Sequence, residues 1–145
     1  KKLSDLLKIL DVEIKSIFKL SDIFLCFDSI EALSESWPDH KCLLLMNEGD
    51  CCRYIDLQPG QIPKKNVLLR KVRSRENFVS KGNDSTLSEA IISLILSDSK
   101  EVCLLVMGSS NPDYFNPNQA SDLLSFFAGV LERHLNNFLF RNDGI

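Results

Sequence analysis

Residues 88–117 read SEAIISLILSDSKEVCLLVMGSSNPDYFNP, and this stretch decides the fold. It contains two strongly apolar runs, 89–96 and 101–107, joined by the polar turn 97–100. Short apolar runs bounded by turn residues are typical of buried β-strands, and a short polar connection favours antiparallel pairing. We therefore predict a β-hairpin at this point of the chain.

A long C-terminal helix is predicted directly after the hairpin, over residues 116–140. Asn116 is an acceptable N-cap, Pro117 suits the first helical position, and Gln119 completes a capping box. The residues that follow form a broad apolar stripe at helical spacing: Ala120, Leu123, Leu124, Phe127, Val130, Leu131, Leu135, Phe138 and Leu139.

The N-terminal segment 1–20 is predicted to hold a second amphipathic helix, over residues 3–19. Its apolar residues are spaced four, three, four and three, which is a heptad pattern: Leu3, Leu7, Leu10, Ile14 and Ile17. Such a pattern suits packing against another helix, either within this domain or from a second copy of it. Simple packing onto the core is an equal alternative.

Residues 21–115 are predicted to form the sheet. Four elements are expected before its irregular part: a strand at 23–27, a short helix at 29–37 after a capping box, a strand at 41–46, and its hairpin partner at 51–57. Residues 58–87 are rich in Pro, Gly and basic side chains, and we expect an irregular lid with one helix near 66–79.

Composition indicates one ordinary globular domain, spanning residues 1–145. The chain is 44% apolar and 26% charged, with a formal net charge of −3. Its apolar runs are too short to cross a bilayer, and its first residues lack the apolar core of a secretory signal. The five cysteines are an odd number, and four lie in or beside apolar runs, so we expect reduced, buried thiols and a cytoplasmic location.

The order of elements after residue 88 resembles the C-terminal half of GAF domains. Within that superfamily, residues 107–117 (MGSSNPDYFNP) are particularly similar to the bacterial family called domain of unknown function 484. The chain departs from the family at Ser93, where most relatives have proline, and at Cys103, where many have glycine. The resemblance implies an α+β fold with a central antiparallel sheet of five or six strands, terminal helices packed together on one face, and dimerisation through those helices.

A ligand site is predicted beneath the lid. Residues 64–81 carry seven basic residues against one acid, and Arg70 and Arg73 there are candidates to hold a small anionic ligand through forked hydrogen bonds. Arg53 and Tyr54, on an expected sheet edge, and Ser88, at the start of the strand opposite, complete the candidate set. The alternatives are a solvated lid and, for Arg53, a surface ion pair of little energetic value.

Catalytic machinery is not evident in the sequence. It has no Cys-x-x-Cys or His-x-x-x-His metal motif, nucleotide-binding loop or nucleophile elbow, and the lid has no cysteine for a methionine-sulfoxide-reducing mechanism. The basic segment has only Phe78 as a stacking platform, which disfavours nucleic-acid binding. We expect a non-enzymatic, cofactor-free sensory or protein-interaction domain that forms a homodimer. There are two alternatives. One is a structural dimerisation domain with a filled pocket, and the other is a thiol-based redox sensor that uses Cys51 and Cys52.

Overall fold

The computed structural model describes residues 3–28, 40–46, 49–55, 67–72, 86–94, 103–116 and 122–140. They form a five-stranded sheet with helices at both ends of the chain, so the predicted α+β class is confirmed. In the order β2-β1-β5-β4-β3 across the sheet, the strands are β1 (Asp22–Asp28), β2 (Leu43–Met46), β3 (Val67–Lys71), β4 (Ser88–Leu94) and β5 (Cys103–Ser109).

The hairpin predicted from the deciding stretch is confirmed. Strands β4 and β5 pair antiparallel, with Ser88 opposite Ser109 at one end and Leu94 opposite Cys103 at the other. Every residue of both strands is buried, which explains why the sequence shows continuous apolar runs here instead of alternation. The other two antiparallel pairs are β1 with β5 and β3 with β4.

The second predicted hairpin, 41–46 with 51–57, is wrong. Strand β2 pairs parallel with β1, and the residues after it form a short helix, α3 (Asp50–Tyr54). Gly49 is the N-cap of this helix and has a φ of 90°, a left-handed backbone conformation that residues other than glycine rarely adopt. Cys51 and Tyr54 lie three positions apart and are both buried, which is the period of a helix and not the alternation of a strand.

The middle of the predicted lid is also corrected. Residues 67–71, part of the lid 58–87 and of its expected helix 66–79, form strand β3 at the edge of the sheet. Arg70 and Lys71 favour helix in isolation, but here the backbone hydrogen-bonds to β4, and tertiary pairing overrides that weak preference. The remainder of the lid up to residue 85, apart from Val72, lies outside the described residues, as does the helix expected at 29–37.

The N-terminal helix runs over residues 3–17 in three consecutive segments. Two α-helical segments, α1 (Leu3–Ile9) and α2 (Lys15–Ile17), flank a π-helical segment, Leu10–Ile14. The C-terminal helix α4 is described over Asp122–Phe140, and its predicted start, 117–121, lies outside the described residues. The prediction of a helix at each end of the chain is therefore confirmed.

Both terminal helices pack on the same face of the sheet, which we call the helix face. The residues buried there include Leu7 and Leu10 of the N-terminal helix and Leu124, Ala128, Leu131 and Leu135 of α4. Leu123, which the sequence placed in the same stripe, is 66% exposed, because it lies on the flank of the helix and not on its core side.

Candidate functional site

The sheet face opposite the terminal helices, which we call the polar face, is partly covered by helix α3. Cys51 and Tyr54 of α3 pack there with apolar side chains from four strands: Phe24, Cys26, Leu44, Ile91, Leu104 and Val106, joined at the edges by Met46 and Leu68. This second apolar cluster holds α3 against the sheet. It thereby brings the hydroxyl of Tyr54 over the end of the sheet where β4 begins.

A buried carboxylate, Glu89, is the centre of the polar face. Its side chain is 0% exposed. Its Oε1 accepts a hydrogen bond from the Tyr54 hydroxyl at 2.5 Å, and its Oε2 accepts one from Nε of Arg70 at 2.9 Å. Arg70 and Glu89 are direct cross-strand partners of β3 and β4, so their side chains share one face of the sheet. We call these three residues the Tyr54–Glu89–Arg70 network.

Arg70 closes this network onto the backbone of α3. Its Nη2 donates to the carbonyl oxygen of Tyr54 at 2.9 Å, and its guanidinium lies 4.9 Å from the centre of the Tyr54 ring. The side chain is only 15% exposed. A buried carboxylate is tolerated when a cation and further hydrogen bonds compensate its desolvation, and Arg70 and Tyr54 supply both.

The structure brings together two of the five residues predicted for the ligand site, Tyr54 and Arg70. Arg53 lies on the exposed side of α3 and pairs with Asp50 three positions earlier, which is the surface ion pair offered as its alternative. Ser88 points to the helix face, where its hydroxyl donates to the carbonyl of Asn111 at 2.6 Å and accepts from the amide of Phe115 at 3.3 Å. Arg73 lies outside the described residues.

Glu89 was missed by the sequence analysis. A carboxylate inside the apolar run of β4 is itself a signal, because a buried charge needs a compensating partner. The sequence did not reveal that partner, since Arg70 lies 19 residues away and was expected in a lid. With Glu89 against it, the guanidinium of Arg70 is already neutralised by this chain. An anionic ligand at Arg70 would have to compete with that carboxylate.

A second carboxylate, Asp22, lies in the same row of the sheet as Glu89. Asp22 of β1 and Glu89 of β4 both pair with Gly108 of β5, one on each side. A side chain at position 108 would collide with the carboxylate of Asp22 and the methyl of Thr86, so glycine gives Asp22 room there. The Thr86 hydroxyl donates to Oδ2 of Asp22 at 3.0 Å and is also hydrogen-bonded to the Ser21 hydroxyl. Buried polar side chains are thus concentrated at one end of the sheet.

The cysteines are all free thiols, and four of the five are buried. Burial raises the pKa of Cys26 and of Cys103 well above the usual value for a thiol. Burial and the nearby carboxylate of Asp11 raise the pKa of Cys42 to about 12. These three thiols therefore stay protonated near neutral pH and lack the thiolate that nucleophilic or redox chemistry uses. Among the described residues, no group of His, Cys, Asp and Glu is arranged to hold a metal ion.

An apolar concavity lies between the two terminal helices, and we call it the helix groove. Its volume is about 220 Å³. Only two of its lining residues, Asp5 and His134, have polar side chains. The others are Leu6, Ile9, Leu10, Ile14, Phe127, Val130 and Leu131. Two of them, Leu10 and Ile14, are the ends of the π-helical segment, a feature that is frequent at functional sites.

Comparison with known proteins gives no family for this chain. No protein-family model matches it, and no curated protein sequence matches it at a significant level. In the part of the chain that the structure describes, no helix has the length and apolarity needed to cross a membrane.

Proposed function

We propose that this chain is a non-enzymatic, GAF-like protein-interaction domain that forms a homodimer through its N-terminal helix and α4. The observation that carries the proposal is the helix groove of about 220 Å³, an apolar concavity formed by these two helices on the outer side of the domain. Contiguous apolar concavities on a protein surface mark interaction sites more often than isolated apolar residues do.

Exposed apolar side chains beside the helix groove support this proposal. Ile9 lines the groove and is 43% exposed, while Leu123 and Phe126 of α4 are 66% and 71% exposed. Large apolar side chains at such exposure are unfavourable in water, and burial against a second protein removes that cost. The sequence resemblance to GAF domains, which implies dimerisation through terminal helices, agrees with this choice of surface.

The absence of enzymatic activity is part of the same proposal. Its support is chemical, because burial keeps the thiols of Cys26, Cys42 and Cys103 protonated. Glu89 is engaged by Tyr54 and Arg70. These groups therefore maintain the fold and are not presented to a substrate. A cytoplasmic location also remains part of the proposal, and the five free cysteines favour it.

Sedimentation at several protein concentrations tests the proposal. We expect the wild-type chain to be a dimer at micromolar concentration, and Ile9→Asp to weaken self-association by more than tenfold because it places a charge in an apolar contact. Val12→Asp is the matched control, since Val12 is 64% exposed on the same helix but does not line the helix groove. A wild-type chain that stays monomeric at high concentration would refute the proposal.

A second candidate function, small-molecule sensing, is favoured by the buried polar side chains at one end of the polar face. A bound ligand would regulate helix pairing only if it bound the two pairing states with unequal affinity. Thermal-shift screening with nucleotides, amino acids and small phosphates tests this. A ligand at a hundredfold excess over its dissociation constant adds about 2.7 kcal/mol of stability. A screen without any shift would leave the structural dimerisation domain as the better description.

A further inference from the structure

The outward side of helix α4 carries a stripe of four residues, which we call the outer stripe: Asp122, Phe126, Gly129 and Arg133. They are spaced four, three and four positions apart, so they lie along one side of the helix. That side is turned away from the core, which α4 contacts through Leu124, Ala128, Leu131 and Leu135. Asp122, Phe126 and Arg133 are exposed, and Gly129 is half-buried.

Two residues of the outer stripe are unusual for a solvated helix face. Phe126 is 71% exposed, and Gly129, one turn further along, is the poorest helix former other than proline. A glycine in the middle of a helix destabilises that helix relative to alanine. An aromatic side chain beside a position with no side chain gives this face a protrusion next to a notch.

We infer that the outer stripe is the contact between two copies of this chain, with the two α4 helices antiparallel. Its spacing is the same when counted from either end, so a two-fold axis places Phe126 against the partner's Gly129, and Gly129 against the partner's Phe126. A two-fold interface requires such a self-complementary surface. The protrusion of each copy then fills the notch of the other.

The charges of the outer stripe select the antiparallel orientation and a second copy as the occupant. Asp122 lies in the first described turn of α4, and Arg133 lies eleven positions later. In the antiparallel pair, Asp122 faces the partner's Arg133, and Arg133 faces the partner's Asp122. A parallel pair in register would instead set carboxylate against carboxylate and guanidinium against guanidinium, which is unfavourable.

The outer stripe adjoins the surface already proposed for dimerisation. Phe127 and Val130, which directly follow Phe126 and Gly129 in the chain, line the helix groove. This inference rests on the proposed function, because it specifies how the proposed dimer is formed. It adds the orientation of the helices, their register and the two kinds of contact.

Charge reversal measured by sedimentation equilibrium tests the orientation. Asp122→Arg and Arg133→Asp each place like charges together twice in the antiparallel dimer, and we expect each to raise the dimer Kd about tenfold. The double variant exchanges the charges and should return the Kd to within about threefold of the wild type. In a parallel pair, each single variant would only exchange one like-charge contact for another, because both copies carry the change, and a Kd that stays close to the wild-type value in both single variants would overturn the inference.

Filling the notch tests the register independently of charge. Gly129→Leu occupies the space that the partner's Phe126 needs, so we expect the dimer Kd to rise more than tenfold. Leucine is a far better helix former than glycine, so the dilute monomer of this variant should melt at an equal or higher temperature. Loss of association together with retained stability separates an interface from a folding defect. Phe126→Ala should raise the Kd by about thirtyfold.

The outcomes distinguish failure of this inference from failure of the proposed function. A wild-type dimer whose Kd does not respond to charge reversal or to Gly129→Leu would refute the outer stripe as the contact. Dimerisation through the helix groove would remain. A wild-type chain that is monomeric at high concentration refutes both.

Discussion

The helix face and the polar face of the sheet are buried in different ways. On the helix face, the N-terminal helix and α4 cover a core that is almost entirely apolar, and its stability comes from the area removed from water. On the polar face, a smaller apolar cluster surrounds the Tyr54–Glu89–Arg70 network. There, stability depends on exact pairing, because one missing partner leaves a buried charge uncompensated. The same strands are therefore stabilised mainly by apolar burial on one side, and by apolar burial together with specific polar pairing on the other.

The largest expected effect comes from removing the cation of the polar face. Arg70→Met keeps the length and apolar stem of the side chain but leaves the buried carboxylate of Glu89 without its ion pair. We expect the free energy of unfolding at neutral pH to fall by about 3–5 kcal/mol. Chemical denaturation monitored by circular dichroism measures it.

The double variant Arg70→Met with Glu89→Met is the control for this prediction. Replacing a buried ion pair by apolar residues of similar volume is often close to neutral, so the double variant should recover most of the lost stability. A double variant as unstable as Arg70→Met alone would show that Glu89 is not the reason for the loss.

A cavity in the core of the helix face should have the next largest effect. Leu135 is fully buried between α4 and the sheet, and Leu135→Ala should cost about 2–5 kcal/mol of unfolding free energy. Leu123→Ala, on the exposed flank of the same helix, should change it by less than about 0.5 kcal/mol in the monomer. Equal losses for the two variants would contradict the orientation of α4.

One tyrosine hydroxyl on each face of the sheet donates a hydrogen bond, so removing each hydroxyl compares the contribution of hydrogen bonding on the two faces. The Tyr54 hydroxyl donates to a buried carboxylate on the polar face, and the Tyr114 hydroxyl donates to the carbonyl of Phe18 at 2.6 Å on the helix face. Hydrogen bonds to charged groups contribute more than those to neutral ones. We expect Tyr54→Phe to lower the unfolding free energy by about 2 kcal/mol and Tyr114→Phe by about 1 kcal/mol. The reverse order would contradict the stronger hydrogen bond assigned to the Tyr54 hydroxyl.

The smallest expected effect on the free energy of unfolding comes from Cys42 and is confined to alkaline pH. Burial and Asp11 raise the pKa of Cys42 from 9.0 to about 12 in the folded chain. The unfolded chain therefore releases this proton first, and stability falls as pH rises above about 9. Over that window, Cys42→Ser should flatten the dependence of unfolding free energy on pH by at most about 1.4 kcal/mol per unit. An unchanged slope would show that Cys42 titrates normally in the fold.

The elements that the sequence predicted well are those with strong local signals. The apolar runs of β4 and β5 and the stripes of the terminal helices each match one period of burial over many residues. The segment 51–57 has too few residues to separate a strand from a short helix by period. Residues 67–71 lie in a basic stretch of sequence that is typical of an irregular lid. They form a strand because their backbone hydrogen-bonds to β4, which the local sequence does not indicate.

The candidate site was predicted only in part, for a related reason. Tyr54 and Arg70 were named as site residues, but the chain gives no indication that both contact Glu89, 35 and 19 residues away. Ser88 was placed correctly at the start of a strand, yet on the wrong face. Successive side chains of a strand point to opposite faces of the sheet. The neighbours Ser88 and Glu89 therefore lie on the helix face and the polar face, respectively.

The sequence by itself determined the α+β class, the β4–β5 ribbon and the two amphipathic helices, because apolar periodicity is set by neighbouring residues along the chain. Tertiary structure alone decided that β2 lies parallel to β1, that α3 covers the polar face, and that Arg70 neutralises Glu89. Those features depend on distant residues meeting across the sheet. Pairing there, through hydrogen bonds and compensated charge, outweighs the weak local preferences of the segments involved.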